Sequence, residues 1–195
     1  MKDEVVDQGK REFFKETFSF LGSRVGQMVK SKTDILPETV SRFLRPPGAV
    51  GNKEFLALCT GCDACLKACP HGSIRKLHGD FVVAGGTPIV IPGEKPCYLC
   101  EDFPCVRACE EGALKRMADK EDVKMGKAYI NTSNCMAWGV QFCRHCARNC
   151  PVPGAIYLDD GKPVVRKERC VGCGICENVC NTVNQPLAIK VVPDG

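Results

Sequence analysis

The sequence predicts an α+β protein: a small unit of cysteine loop, helical turn and short strand, used repeatedly behind a helical arm. Three observations predict it. Sixteen of the 195 residues are cysteine, about one in twelve, and they fall into four groups of four with none left over. Short strand-like runs lie between the groups. Residues 1–45 hold no cysteine but carry an apolar stripe of helical period. Such a cysteine content belongs to disulfide scaffolds or metal sites. Otherwise the composition is globular, 44% hydrophobic and 26% charged, which argues against wholesale disorder. The formal net charge of +4 and 13 aromatic residues without basic interleaving argue against nucleic acid. No apolar run approaches the roughly 18 residues of a membrane-spanning helix.

The arm comes first. Phe14, Phe18, Leu21, Val25 and Met28 recur at intervals of three and four, the stripe of an amphipathic helix broadened by Phe13 and Phe20. Pro37 followed by Glu38–Leu44 predicts a second short helix with proline near its first turn. Arg45-Pro46-Pro47-Gly48 ends it. The arm could pack on its own body, dock on a partner subunit or lie on a membrane. With nine basic and seven acidic residues over 1–45 it lacks a strongly basic face, which ranks the membrane last. A secretory signal needs about 7–15 uninterrupted apolar residues, and the run Phe13–Arg24 is broken by charge. The expected location is cytoplasmic. Thiols stay reduced there, so sixteen cysteines imply metal rather than disulfides.

The spacing names the metal. The first group is Cys59, Cys62, Cys65 and Cys69, followed by Pro70. The second is Cys97, Cys100, Cys105 and Cys109. The third is Cys135, Cys143, Cys146 and Cys150, followed by Pro151. The fourth is Cys170, Cys173, Cys176 and Cys180. The first group is the bacterial ferredoxin run, in which three thiolates at short intervals wrap three corners of a [4Fe–4S] cube. The trailing fourth thiolate starts a helical turn and ligates the cluster of a partner group. Gly61, Ala64 and Ala68, and Gly172 and Gly174 in the fourth group, let the backbone come close to the cube. Structural zinc prefers paired Cys-x-x-Cys knuckles, which these triple runs do not match. The expectation is therefore four [4Fe–4S] clusters on sixteen cysteine ligands, in two bacterial-ferredoxin-like units of two clusters each. The long Cys135–Cys143 spacing leaves a [3Fe–4S] centre or a missing cluster as alternatives there. His71 and His145 read as surface or supporting residues and Trp138 as packing. Lys67, Arg107, Arg144 and Arg148 flank ligands, where they could offset cluster charge or simply face solvent.

Strands are expected at Ile89–Ile91, Ala128–Ile130 and Leu187–Val192, with a hairpin of Ala155–Leu158 and Pro163–Val165 turning at Asp160-Gly161. The expected division is an arm over 1–45, groups one and two over 46–120, and groups three and four over 121–195. Pairing is open. A sequential scheme joins one to two and three to four, and a nested scheme joins one to four and two to three. No phosphate loop, dinucleotide fingerprint or catalytic triad appears, so no residue is placed to transform a substrate.

A family resemblance rests on Arg45-Pro46-Pro47-Gly48-Ala49, the first group, Gly86-Thr87-Pro88, and Pro96-Cys97-Tyr98-Leu99-Cys100-Glu101-Asp102-Phe103-Pro104-Cys105. Met125-Gly126-Lys127-Ala128, the long third spacing and Ala188-Ile189-Lys190-Val191 complete it. Over these stretches residues 45–193 resemble the NapG/MauM group of ferredoxin-type proteins. The resemblance implies a four-cluster ferredoxin passing electrons between redox subunits, in association with periplasmic nitrate reductase or methylamine oxidation. Such proteins typically carry a twin-arginine export signal. Lys10-Arg11-Glu12-Phe13-Phe14-Lys15 resembles its core, but the apolar stretch after it is missing. The expectation is thus an electron-transfer subunit of a cytoplasmic oxidoreductase, in a hetero-oligomer with a large catalytic subunit. The expected partner is a tungsten- or molybdenum-pterin enzyme of the aldehyde:ferredoxin oxidoreductase or benzoyl-CoA reductase type. A ferredoxin or flavin subunit would stand at the other end. The alternatives are a ferredoxin-type protein of a nitrate reductase or methylamine system, a metalloenzyme assembly factor, and a redox-sensing regulator.

Overall fold

A computed structural model describes residues 43–77 and 86–194, all within one unit, Val40–Gly195. The helix expected through Phe14–Met28 and most of that over Glu38–Leu44 lie outside the described residues. The end of the second expectation is corrected. Leu44 is not helical but pairs in a β-bridge with Val90, whose N–H donates to the Leu44 carbonyl at 2.8 Å. Proline at 46 disfavours helical backbone just ahead of it, and the bridge takes up the Leu44 carbonyl instead.

The described elements run α1 (Asn52–Leu58), α2 (Ala64–Ala68), β1 (Ile74–Lys76), β2 (Pro88–Val90), α3 (Pro104–Arg107), β3 (Gly126–Ile130), α4 (His145–Arg148), β4 (Ile156–Asp159), β5 (Lys162–Val165), α5 (Ile175–Val183) and β6 (Ile189–Pro193). Helix α1, with Phe55 fully buried, is not among the expected elements. The strands form three antiparallel pairs, β1 with β2, β3 with β6, and β4 with β5.

One plan is used twice. In the second half, β3 precedes the third cysteine group and pairs with β6, which follows the fourth. Gly126 lies opposite Pro193 and Ile130 opposite Ile189. Between the two groups sits the β4–β5 hairpin, Ile156 opposite Val165. Its two-residue turn, Asp160-Gly161, has both φ angles positive, 46° and 75°, the twist that suits a tight hairpin. In the first half the outer pairing shrinks to Gly48–Val50 against Ala113–Lys115. There Lys115 N–H donates to the Gly48 carbonyl at 2.7 Å and Val50 N–H to Ala113 at 3.1 Å. The β1–β2 pair takes the hairpin's place, Ile74 opposite Val90.

A single buried cluster runs through both halves, from Leu44 and Phe55 to Ile189 and Val191. The expected boundary near residue 120 therefore crosses a continuous core. Cys65, Cys97, Cys105, Cys146, Cys170, Cys173, Cys176 and Cys180 are part of it.

Candidate metal centres

Each cysteine group is a loop running into a helix. The third cysteine sits within the helix and the fourth comes four residues later: Cys65 in α2 with Cys69 just past it, Cys105 in α3 with Cys109 beyond, Cys146 in α4 with Cys150 beyond, and Cys176 and Cys180 both in α5. Four residues is about one helical turn, so the two thiols are stacked roughly 6 Å apart along the axis. They thus open onto different neighbours. Helix α2 packs against α3, and α4 against α5.

This packing gathers the cysteines into four sets. Cys59, Cys62, Cys65 and Cys109 line one cavity. Cys69, Cys97, Cys100 and Cys105 line a second. Cys150, Cys170, Cys173 and Cys176 line a third. The three are of similar size, with about 390, 360 and 320 Å³ of free space, openings to solvent included. The remaining four lie near one another: α4, with Cys146, packs on α5, with Cys180, Asn184 just past α5 accepts from Met136 N–H, next to Cys135, and Cys135, Cys143 and Cys180 are neighbouring thiols that raise the Cys146 pKa. The first and second groups thus exchange their last cysteines, as do the third and fourth. Among the described residues, no His, Cys, Asp and Glu side chains converge as a single metal ion would require. The thiols stand around spaces instead.

The electrostatics suit a bound group that takes thiolates. Burial, with Cys59 and Cys105 adding to it, pushes the Cys65 thiol up to about 12. Burial does the same at Cys97, to about 12, and at Cys146, to about 12. Cys105 and Cys173 rise to about 11. Cys176 rises well above the ordinary thiol value, again through burial first. Four clustered thiolates are therefore costly unless iron neutralises them. Amides act the other way. Leu99 and Ala147 N–H groups favour the thiolates of Cys97 and Cys146. Ser73 N–H donates to Cys69 Sγ at 3.4 Å and Ala128 N–H to Cys170 Sγ at 3.4 Å. Such N–H···S contacts help set the potential of an iron–sulfur centre.

Left-handed backbone recurs two residues before the third cysteine. Asp63, Phe103 and Gly174 have φ of 67°, 42° and 88°, although the second group has two extra residues in that spacing. The close approach expected of the fourth-group glycines is seen against protein. A Cβ on Gly172 would strike the Gly126 backbone, and one on Gly174 would lie 2.5 Å from Pro92 Cβ.

Sequence reasoning missed four polar residues. Arg45 is buried, donates to Thr87 Oγ1 at 2.8 Å and Pro88 O at 3.0 Å, and lies over the Phe55 ring at 4.8 Å. Its Nε and second terminal nitrogen have no hydrogen-bond partner. Burial lowers its pKa, and the nearby Cys59 opposes that. Glu177 is fully buried against β6. Asn178 ties α5 to the Pro92–Glu94 turn. Asn184 accepts from Met136 N–H at 3.3 Å and donates to Asn134 O at 2.9 Å, which anchors the third group's long insertion.

The flanking residues take plain roles. His71 stacks on Tyr98 with ring centroids 4.4 Å apart. Arg107 pairs with Asp102 on the surface. Arg144 lies over the exposed Phe142. Trp138 is only part-buried, its Nε1 donating to Pro163 O at 3.2 Å under Lys162. Among the described residues no helix is long and apolar enough to cross a membrane.

Comparison with known proteins places the chain among ferredoxin-type proteins. Residues 56–75 match the 4Fe-4S binding domain family model. The chain is 40% identical over 164 residues to the methylamine utilization ferredoxin-type protein MauM of Paracoccus denitrificans, covering 78% of this chain and 72% of that one. It is 37% identical to the ferredoxin-type protein NapG of Escherichia coli, over 77% of this chain and 70% of that one. The ferredoxin-type protein NapF of the same organism is 30% identical over 72% of this chain. No solved structure matches. These relatives fit the nitrate reductase or methylamine alternative better than an enzyme of the aldehyde:ferredoxin oxidoreductase or benzoyl-CoA reductase type, which none of their names suggests. With its cysteines gathered in this way and relatives of this length and identity, the chain belongs to the MauM/NapG family of ferredoxin-type electron-transfer proteins.

Proposed function

We propose that the protein relays single electrons through four [4Fe–4S] clusters, to or from a larger oxidoreductase. The observation that carries this reading is the meeting of the cysteines in four sets that exchange their last members. Bound there, a [4Fe–4S] cluster supplies a one-electron couple with no bond made or broken. The first would be held by Cys59, Cys62, Cys65 and Cys109, and the second by Cys69, Cys97, Cys100 and Cys105. The third would be held by Cys135, Cys143, Cys146 and Cys180, and the fourth by Cys150, Cys170, Cys173 and Cys176. The donor sets fit, being all thiol and backed by apolar side chains such as Phe55, Ile74 and Val191. Those side chains keep water away, and the N–H···S contacts offset charge. The partner we propose is a redox enzyme of the kind the relatives serve, with methylamine utilization the process one of their names states. The cytoplasmic expectation rests only on residues outside the described ones.

Iron analysis of protein assembled without oxygen tests the reading. About sixteen iron atoms and sulfides per chain are expected, with S = 1/2 signals on reduction. A plateau near eight would sink the four-cluster assignment. Arg45 gives a second test. Its buried cation beside Cys59 favours the more negative, reduced state of the first site. Arg45→Leu is expected to lower one midpoint potential in a redox titration and leave the others in place, with Arg45→Lys partly restoring it. Four unchanged potentials would remove Arg45 from that role.

A further inference from the structure

The two halves meet at a built junction. Cys97 N–H donates to the Cys173 carbonyl at 2.9 Å. Next to this bond, Gly174 leaves no room for a Cβ against Pro92, and Asn178 Nδ2 donates to Pro92 O at 3.3 Å. Cys97 belongs to the second set and Cys173 to the fourth. Within the halves, α2 packs on α3 and α4 on α5, which sets the first set beside the second and the third beside the fourth.

We infer that the four cysteine sets stand in a row whose order is first, second, fourth, third, not the order of the chain. The Cys97–Cys173 contact is the inner junction, and the first and third sets are the two outer ends. This rests on the electron-relay reading above. The exchanged last cysteines fix the neighbours within each half, and the Cys97–Cys173 bond fixes which set of each half faces the other. Electron tunnelling falls steeply with distance, so transfer between the halves passes at this junction. A one-electron donor protein and a one-electron acceptor protein then meet the outer sets. Exposure agrees at both ends. Cys62 of the first set is exposed, and the third set carries the exposed Val140 and Phe142 in its long insertion.

The test uses iron-loaded protein, fully reduced, in which neighbouring reduced sites split and broaden each other's EPR signals. Cys143→Ala removes the outer third site and is expected to leave three mutually coupled sites. Cys150→Ala removes the inner fourth site and is expected to leave one isolated, sharp S = 1/2 signal beside a coupled pair. Each variant should lose roughly a quarter of the iron. Chain order demands the opposite pattern, an isolated signal in Cys143→Ala and three coupled sites in Cys150→Ala. Either variant on its own decides, so one failure to fold leaves the other to answer. Wild-type protein with far less than about sixteen iron atoms overturns the relay reading, whereas reversed coupling at full iron overturns the row alone.

Discussion

Stripping the iron is expected to unfold the protein. The secondary structure has little strength of its own. The described α-helices run from 4 to 9 residues, and isolated helices below about 12–15 residues are marginal in water. Every described sheet is a single pair of strands, which is also marginal alone. What joins these pieces is a core in which eight buried cysteines sit among the apolar side chains. With iron gone, that core has gaps lined by thiols and nothing to link loops from distant parts of the chain. Structural metal sites contribute on the order of 10 kcal/mol each to folding, as much as a typical domain's whole stability of about 5–15 kcal/mol. Chelator with reductant should therefore abolish the cooperative transition and most of the far-UV circular dichroism of iron-loaded protein. An iron-free chain that keeps both would show that the apolar core suffices, contrary to this account.

Glu177→Ala is expected to cost about 3 kcal/mol, near the top of the range for one side chain. Glu177 lies in the first turn of α5 with no exposed surface. Its Oε2 accepts from Val191 N–H at 2.7 Å and its Oε1 from Lys190 Nζ at 2.6 Å. One carboxylate thereby fastens the helix carrying Cys176 and Cys180 to the closing strand β6. Alanine leaves the buried Val191 N–H without a partner and opens a cavity between α5 and β6, and both effects act in the same direction. The Lys190 ammonium is largely exposed, so its share is small and the amide bond dominates. Glu177→Gln keeps an oxygen for Val191 and should lose clearly less, about 1–2 kcal/mol. Urea unfolding of the iron-loaded variants measures both. Equal losses in Gln and Ala would assign the effect to charge instead of the amide bond.

Much of the protein was legible in its sequence because its chemistry is local. The grouping of the cysteines, the β4–β5 hairpin and the strands that close the second half are written in short spacings and turn residues. Asp160-Gly161 is a turn wherever two such strands flank it. Other features were not legible. Helix α1 carries one buried apolar residue, Phe55, too few to make a periodic stripe. Leu44 reads as a helix end but is held by Val90, which lies far along the chain. Phe103 adopts a left-handed conformation that its residue type disfavours, as does Leu99, fully packed at 1% exposure with φ of 49°. Only surroundings that over-determine the loop can hold such residues there.

The division has a physical reason. A thiol's reach is set by its loop, so spacing alone determined that three cysteines of a group act together and that iron–sulfur chemistry is the function. Family membership follows from the same short stretches. The fourth cysteine of each group lies a helical turn away, and its neighbours depend on which helix packs beside it. In sequence, the short hairpin between the third and fourth groups favours sequential over nested pairing without excluding either. Only the packing of α2 on α3 and α4 on α5 separates them, and only the contact of Cys97 with Cys173 sets which sets face each other.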